Sequence, residues 1–552
     1  MAQMDAEHIE SEHFDVAIVG YGPVGGALAN LLARQGLSVA IVEPYTRIYP
    51  TPRAGALVAE SIRLLQALGL ADQLVPGMAE WILNLAVFDK DWNVLVNGHG
   101  VVEDAHEFGW PQWFLFIQPE LEAAVRESNE RLGVRTYLGY RATEIEQGAD
   151  GVEVHLWAVK TSPHETENGS ERSEATGAPQ RVVHADWVVG CDGANSTVRE
   201  TIGGGYEDFE GDESWLLIHL RVTRPDVKMP LRGEGEILAT GGAFQWLNPD
   251  RHVTFVTGFP QGIHIFEFKV LPGETAEELT ATDRVWELLS PWVSEGDAEL
   301  MRGVVYDFHS RVANIWRDRR LLLAGDAAHV MPPDLGQGLN SGFRDVMNLG
   351  WKLAGVIRGN LKEEILDSYA LERRPQCRAL VELSNRLATT YTRITENPDS
   401  DFAKAGLGQV FAHPWPRVNP GIHGDAPEPV GLMSAQPTLA DGTKLDDAVG
   451  YRFAVIGDDQ LLADAGVASD GVWTALDTTI IGSSDPAIRA WLDRLGCEAL
   501  VVRPDRLIFG LAANAEELRI LAAKLGQLVT EHALADMAQA GDASATSPTG
   551  AL

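Results

Sequence analysis

Residues 321–340, LLLAGDAAHVMPPDLGQGLN, decide how this chain reads. Leu321, Leu322 and Leu323 form an apolar run short enough for a buried strand. Gly325 and Asp326 follow at the strand's end, where a carboxylate reaches a ligand hydroxyl. Pro332 and Pro333 stiffen the next turn. Gly336 and Gly338 let backbone approach a flat ring. Asn340 reads as a helix N-cap, and residues 341–358 as the helix. A helix N-terminus offers unpaired N–H groups and partial positive charge, which suits a ligand that becomes negative in use. An ordinary strand–loop–helix corner would share this outline, but two other stretches favour a ligand.

The first lies near the start. Residues 14–19, FDVAIV, read as a buried strand that runs into Gly20, Gly22 and Gly25. A helix over 27–35 follows, then a strand over 37–42 that ends at Glu43. Strand, GxGxxG, helix, strand and acid in this order are the dinucleotide fingerprint. The glycines permit the tight turn and the approach of a pyrophosphate. Glu43 falls about 20 residues on, where a ribose hydroxyl sits. Residues 47–53, RIYPTPR, add two arginines; Arg53 reads as a charge partner for the pyrophosphate. Gln118 opens the helix after a strand at 113–117. It either hydrogen-bonds the cofactor or only caps.

The second stretch is CDGANSTVR, residues 191–199, at the end of a strand over 181–190. Asp192 makes a second strand–carboxylate corner. A turn alone explains Asp192-Gly193, but not its recurrence beside a nucleotide fingerprint. No second GxGxxG occurs in this context, so any nicotinamide nucleotide binds elsewhere and transiently.

Strand-like segments at 215–222, 236–247, 252–258 and 264–270 carry several aromatics. They predict a mixed sheet, separate from the Rossmann layers, that roofs a cavity. Residues 60–68 and 363–388 read as helices. Residues 161–180 read as a mobile hairpin excursion. A small α/β domain follows from 438 to 532, with strands at 453–456, 478–481, 499–502 and 506–509. The fold class is therefore α/β. Its expected parts are FAD-binding segments at 1–85, 116–205 and 311–400, and substrate-sheet segments at 86–115 and 206–310. A linker at 401–436, a C-terminal domain at 437–536 and a disordered tail at 537–552 complete it.

The 552 residues carry 79 acidic and 44 basic side chains, a formal charge of −35. This argues against nucleic acid and anionic membranes as partners. Cys191, Cys377 and Cys497 lie far apart, so neither a zinc site nor a disulfide framework is expected. No signal peptide or spanning run is visible, which makes the cytoplasm the default.

The three motifs together resemble the single-component FAD-dependent aromatic hydroxylases of the para-hydroxybenzoate hydroxylase fold. The likeness covers about residues 14–390. Within that family YGPVGGALANLLARQG (21–36), IYPTPRA (48–54), FHSRVANIW (308–316) and GQGLNSGFRDVMNLGWKLAGV (336–356) are most similar to the 3-(3-hydroxyphenyl)propionate hydroxylases. The chain departs from them at Gly55 to Val58, at Asp334 and at His264 to Glu267, all in the expected substrate region. The resemblance implies that Glu43 binds the adenosine ribose, and Gly20, Gly22 and Gly25 the pyrophosphate. It implies that Arg53 and Gln118 contact FAD and that Asp326, after Gly325, takes the ribityl chain. Pro332 shapes the loop whose backbone at Gly336, Gly338, Leu339 and Asn340 holds the pyrimidine edge. Asp192 supports pyrophosphate and pyridine nucleotide. The C-terminal part resembles a thioredoxin-like appendage, which without CxxC has structural or oligomer contacts only.

The implied reaction uses NADPH or NADH to reduce FAD. O2 then adds at flavin C4a, and the hydroperoxide hydroxylates a phenolic or hydroxylated heteroaromatic ring. Asp334 is the expected substrate-activating base, with His219 next. The implied assembly is a homodimer. Three other functions fit the same motifs. They are a polycyclic polyketide hydroxylase, a flavin oxidoreductase without oxygen insertion, and a non-catalytic flavin-binding interaction protein.

Overall fold

Apolar runs ahead of each motif become parallel neighbours in one sheet. Glu12–Val19 pairs on one side with Val39–Glu43 and on the other with Arg181–Gly190. Leu321–Leu323 pairs in parallel with Arg181–Gly190, and Arg135–Leu138 with Val39–Glu43. Val19 lies opposite Val42 and Gly190, and Gly190 opposite Leu323. All four strands therefore end at one edge, and the three motifs follow from that edge. Ligands of open α/β sheets bind outside such carboxyl ends. The central strands are buried over their carboxyl-terminal halves because helices Pro23–Arg34, Gln118–Arg131 and Gly338–Ile357 add to one continuous apolar core with them.

The structure, a computed structural model, describes residues 12–80, 85–97, 107–159, 180–209, 212–223, 242–396 and 417–534. Residues 161–179 of the expected hairpin excursion, residues 401–416 of the expected linker, and the tail fall outside them. So do residues 236–241 of one expected strand, whose described part is Gly242–Leu247.

A seven-stranded mixed sheet lies beside the first. Its order is Ala298–Phe308, Glu213–Val222, Ile263–Lys269, Val253–Thr257, Gly242–Leu247, Leu85–Asp89, Val94–Asn97. Alternation gives it two unlike faces. One carries Leu216, Ile218, Phe244, Phe255, Phe266 and Phe268, packed with Leu279, Val285 and Leu289 of the helices that cover it and with Trp292 in the turn after them. The other carries Leu217, His219, Ile265 and Glu267, and turns toward the nucleotide-binding unit. There Ile263 and Ile265 pack with Ala56, Trp113 and Leu115.

Two expected boundaries shift. Trp113–Leu115 belongs with Ala56–Val58 and Ala79–Glu80 in a small sheet, not with the large one. Tyr206–Asp208 pairs with Arg311–Ala313, which pairs with His329–Val330. Helix starts shift as well. The first helix begins at Pro23, inside the glycine motif, because proline suits the first helical turn. The helix expected from Ser341 begins at Gly338 with Gln337 as cap, so Asn340 lies in its first turn.

Residues 417–534 form a third unit. Its strands run in the order Thr479–Gly482, Ala454–Gly457, Ala499–Val502, Ile508–Ala512, with the first pair parallel and the others antiparallel. It is joined to the nucleotide-binding unit through buried charge. Arg503 donates to both oxygens of Glu372, each at 2.7 Å, and Lys352 Nζ donates to the same carboxylate at 2.7 Å. Arg503 also pairs with Asp505 at 2.6 Å. Arg63 donates to both oxygens of Asp446 at 2.7 and 2.8 Å.

Candidate functional site

The glycine turn is closed on one side and open on the other. Gly20 has φ +104°, and a Cβ there would lie 2.3 Å from the Cys191 carbonyl oxygen. A Cβ at Gly25 would lie 2.1 Å from the Gly20 carbonyl oxygen, whereas one at Gly22 would meet nothing within 4 Å. Gly22 is the N-cap of Pro23–Arg34, with no side chain bonded to the helix end. The turn is thus pressed against the sheet while the helix N–H groups face open space, as an anionic diphosphate requires.

Glu43 is held for its task. The Tyr21 N–H donates to its Oε2 at 2.7 Å and the Tyr45 N–H to Oε1 at 3.1 Å. A carboxylate has about four acceptor positions, so capacity remains for ribose hydroxyls. Burial raises the Glu43 pKa, against these N–H groups and the charges of Arg126 and Arg53. Arg126, which sequence reasoning missed, donates to the Tyr21 carbonyl at 3.2 Å and lies 4.4 Å over the Tyr21 ring.

Asp326 is exposed to solvent, yet burial among protein atoms raises its pKa. Both hold together for a carboxyl on the floor of a deep cleft, and Arg53 faces it closely enough to lower that pKa. Arg53 itself is exposed and lies 4.8 Å over the Tyr49 ring. Asp192 accepts from the Thr197 N–H at 2.7 Å. Its other oxygen is buried with no partner among the described residues. Closed glycine turn, free helix end, braced Glu43 and cleft-floor Asp326 together fit a dinucleotide of the FAD type.

Other expected site residues have protein partners of their own. Gln118 Oε1 accepts from the N–H groups of Arg53 and Ala54 at 3.0 and 2.8 Å, and its Nε2 donates to Glu122 at 2.8 Å. Its amide therefore fixes the 53–54 loop. Asn340 is buried. Its Nδ2 donates to Gly336 O at 2.7 Å, and its Oδ1 accepts from Val58 N–H at 3.1 Å and Ser61 at 2.6 Å. It ties the flavin-loop candidate to the strand beside it. Gly336 has φ +59°, the left-handed conformation that ends the turn Pro333–Leu335. Pro332 precedes that turn and its carbonyl accepts from Ser384 at 3.3 Å. The first helical hydrogen bond downstream runs from Ser341 N–H to Gln337 O at 2.8 Å, so the N–H groups of Gly338, Leu339 and Asn340 precede it.

A buried cluster behind Asp326 was also missed. Asp345 accepts from Gly325 N–H at 3.0 Å, from His329 at 2.6 Å and from Arg373 at 2.8 Å. Burial opposes a charged His329, but Cys377 and Asp345 outweigh it and raise its pKa to about 10. Cys377 comes near enough to complete a set of metal-ligating atoms. The Arg373 guanidinium inside the cluster already balances Asp345, and the cluster's evident work is to fix Gly325.

Asp334 stands in the turn Pro333–Leu335. Burial, then the charge of Glu213, raises its pKa to about 7. Burial, then the Asp334 charge, raises Glu267 to about 8. His219 is buried and its pKa falls to about 4, through burial and then the nearby Arg302 charge. Its ring bonds the Pro52 backbone and leaves Nδ1 without a partner among the described residues.

With this geometry in place the comparisons are direct. A family model described as "FAD binding domain" matches residues 13–384. The chain belongs to that family. A probable NADH-specific resorcinol 4-hydroxylase of Rhodococcus jostii is 32% identical, over 93% of this chain and 94% of the relative. A 3-(3-hydroxy-phenyl)propionate/3-hydroxycinnamic acid hydroxylase of Mycolicibacterium smegmatis is 33% identical, over 91% of this chain and 92% of the relative. Aklavinone-11 hydroxylase, solved with FAD and aklavinone, superposes with a TM-score of 0.73 over 95% of this chain and 99% of its own, at 23% identity. That last likeness speaks for the fold. The cofactor of this family member is FAD, with a nicotinamide nucleotide as reductant. No helix among the described residues is long and apolar enough to cross a membrane.

Asp326→Ala is expected to purify with less than a tenth of the wild-type flavin, because a hydroxyl deep in the cleft loses a charged acceptor worth about 1.5–3 kcal/mol. Flavin absorbance per chain after gel filtration at nanomolar protein measures this. Full occupancy would show that Asp326 does not touch the cofactor.

Proposed function

We propose that this protein is an FAD-dependent monooxygenase that hydroxylates a phenolic or hydroxylated heteroaromatic ring with NADH or NADPH and O2. The observation that carries the reading is the placement of the loop Pro332–Asn340 against the inner face of the large sheet. One wall is built for a flavin edge, the other for a ring that stacks beside it, and titratable groups lie between. The substrates in the relatives' names, resorcinol and 3-(3-hydroxy-phenyl)propionate, are phenols and support the same class.

When bound, FAD would supply the hydride acceptor for the nicotinamide nucleotide and the means of activating O2. The chain's own residues then divide the remaining work. The Gly20–Gly25 turn and Glu43 hold the adenosine diphosphate half, and Asp326 the ribityl chain. The N–H groups at Gly338, Leu339 and Asn340 stabilise negative charge on the pyrimidine edge. Asp334 accepts the proton of the substrate's ring hydroxyl, which raises electron density at the carbon to be attacked. His219, kept neutral, positions Pro52 and the loop that carries Arg53. Asp192 remains a candidate support for the pyrophosphate and pyridine nucleotide. For the C-terminal unit we adopt the thioredoxin-like reading, which its strand order supports. Its one cysteine, Cys497, leaves it a structural task.

Rapid-mixing measurement of flavin reduction across a panel of hydroxyaromatics tests the function. At least one phenol should accelerate reduction, and its product should carry one atom from labelled dioxygen. Reduction that no aromatic accelerates, or a product without the label, would leave a plain flavin oxidoreductase.

A further inference from the structure

Across the inner face of the large sheet runs one row that turns from apolar to polar. Leu217 pairs with Glu267, Glu267 with Thr254, and Thr254 with Gln245. Facing residues in such a row have Cβ atoms about 5 Å apart. Phe266 and Phe268, the neighbours of Glu267 in its strand, point into the aromatic core on the far side. Glu267 therefore points toward the nucleotide-binding unit, in the row next to Ile265, which packs with Trp113. Trp113 also lies 3.6 Å from where a Cβ of Gly336 would stand, so the flavin loop and this face meet.

The donors near Glu267 are already used. The Thr254 hydroxyl donates to Gln245 Oε1 at 2.8 Å, and His252 Nε2 lies 2.6 Å from the same oxygen. Lys269, next on the same face, donates to Glu213 at 2.6 Å. Among the described residues none donates a hydrogen bond to the Glu267 side chain. The charged group that acts on it is Asp334, from the opposite wall. Asp334 also faces Tyr391, whose pKa burial and that carboxylate raise. Leu335, beside Asp334, packs with Val87, Leu247 and Tyr391, which fixes the turn against the sheet.

Asp334 from the loop and Glu267 from the sheet thus form an acceptor site in which no described side chain donates to Glu267. An anionic ligand there meets like charge in a poorly solvated place. We propose that Glu267 and Asp334 select the substrate, taking an uncharged phenol that carries a second hydrogen-bond donor and rejecting phenols that carry a carboxylate. One ring hydroxyl donates to Asp334 and the second donor to Glu267. This rests on the reading of this face as the substrate wall of an aromatic hydroxylase.

The test is a titration of the oxidised, FAD-loaded enzyme without reductant, following the flavin absorbance. The ligands are resorcinol, 3-methoxyphenol and 3-(3-hydroxyphenyl)propionate. Wild type should bind resorcinol about tenfold more tightly than 3-methoxyphenol, the step expected from one hydrogen bond to a charged group. It should bind the propionate at least tenfold more weakly than resorcinol. Glu267→Gln, nearly isosteric, should shrink the gap between resorcinol and the propionate. Glu267→Arg should reverse it. Flavin content and thermal midpoint show whether each variant is folded. If wild type binds the propionate as tightly as resorcinol, the proposal is overturned and the hydroxylase reading stands. It is overturned in the same way if neither substitution changes the ratio in folded protein. If none of the three phenols perturbs the flavin, the proposal is overturned, and the hydroxylase reading is decided separately by the wider panel of hydroxyaromatics.

Discussion

Glu372→Ala is expected to destabilise the protein by about 3–5 kcal/mol, the usual cost of removing one partner from a buried ion pair. Glu372 is the meeting point of four described donors and of two units. Arg503, Lys352 and Asn348 all donate to it, and so does the Ile422 N–H at 2.9 Å. Burial would raise its pKa, but Arg503 and Lys352 hold it well below the ordinary carboxylate range. Alanine leaves two cations buried with only Asp505 to balance them. The attraction between units 1 and 3 of the chain, the nucleotide-binding unit and residues 417–534, is lost at the same point. The expected readout is a fall in thermal midpoint together with early protease cleavage near the junction. Arg503→Ala should behave alike. A loss below about 1 kcal/mol, the range of an exposed pair, would show that water reaches this cluster. The result also bears on the C-terminal unit. Cutting the chain near residue 437 removes Arg503, Asp505 and Asp446 together, so a deletion should harm the fold itself.

The parts of the site legible in the sequence are those written within a few residues of a strand end. Gly20, Gly22, Gly25 and Glu43 are such parts, and so are Asp192 and Asp326. Backbone geometry fixes their positions from local order alone, and parallel pairing brings their strand ends to one edge. Roles that depend on side chains from afar were not legible. Asn340 looks like a cap, yet its amide is spent on Val58, Ser61, Ala56 and Gly336. Gln118 reads as a cofactor contact or a cap, and that its amide bonds the 53–54 loop is not visible in the sequence. Asp345, His329 and Arg373 lie on two helices and a short strand, and nothing in their spacing announces that they meet behind Gly325. Glu267 was visible only as part of the departure from the resembled family at His264 to Glu267. That it faces Asp334 follows only from the pleat and the packing of two sheets.

Asp334→Asn is expected to keep FAD and to be reduced normally, yet to lose about a hundredfold or more in hydroxylation, the typical share of a positioned base. The reducing equivalents should appear as hydrogen peroxide, because oxygen is still consumed while the ring stays unactivated. With the Asp334 pKa raised to about 7, wild-type coupling should rise as pH increases through 7 and fall below it. Asparagine should remove that dependence. Stability moves the other way. A carboxyl whose folded pKa lies above its unfolded value favours the fold while protonated, and that contribution is lost as pH rises through 7. Asp334→Asn should therefore melt higher than wild type at pH 8, and the two should converge near pH 4. Better stability with worse coupling in one variant is the signature of a carboxylate kept for chemistry. Unchanged coupling and an unchanged pH profile would move the base elsewhere on the sheet, with Glu267 the next carboxyl to examine.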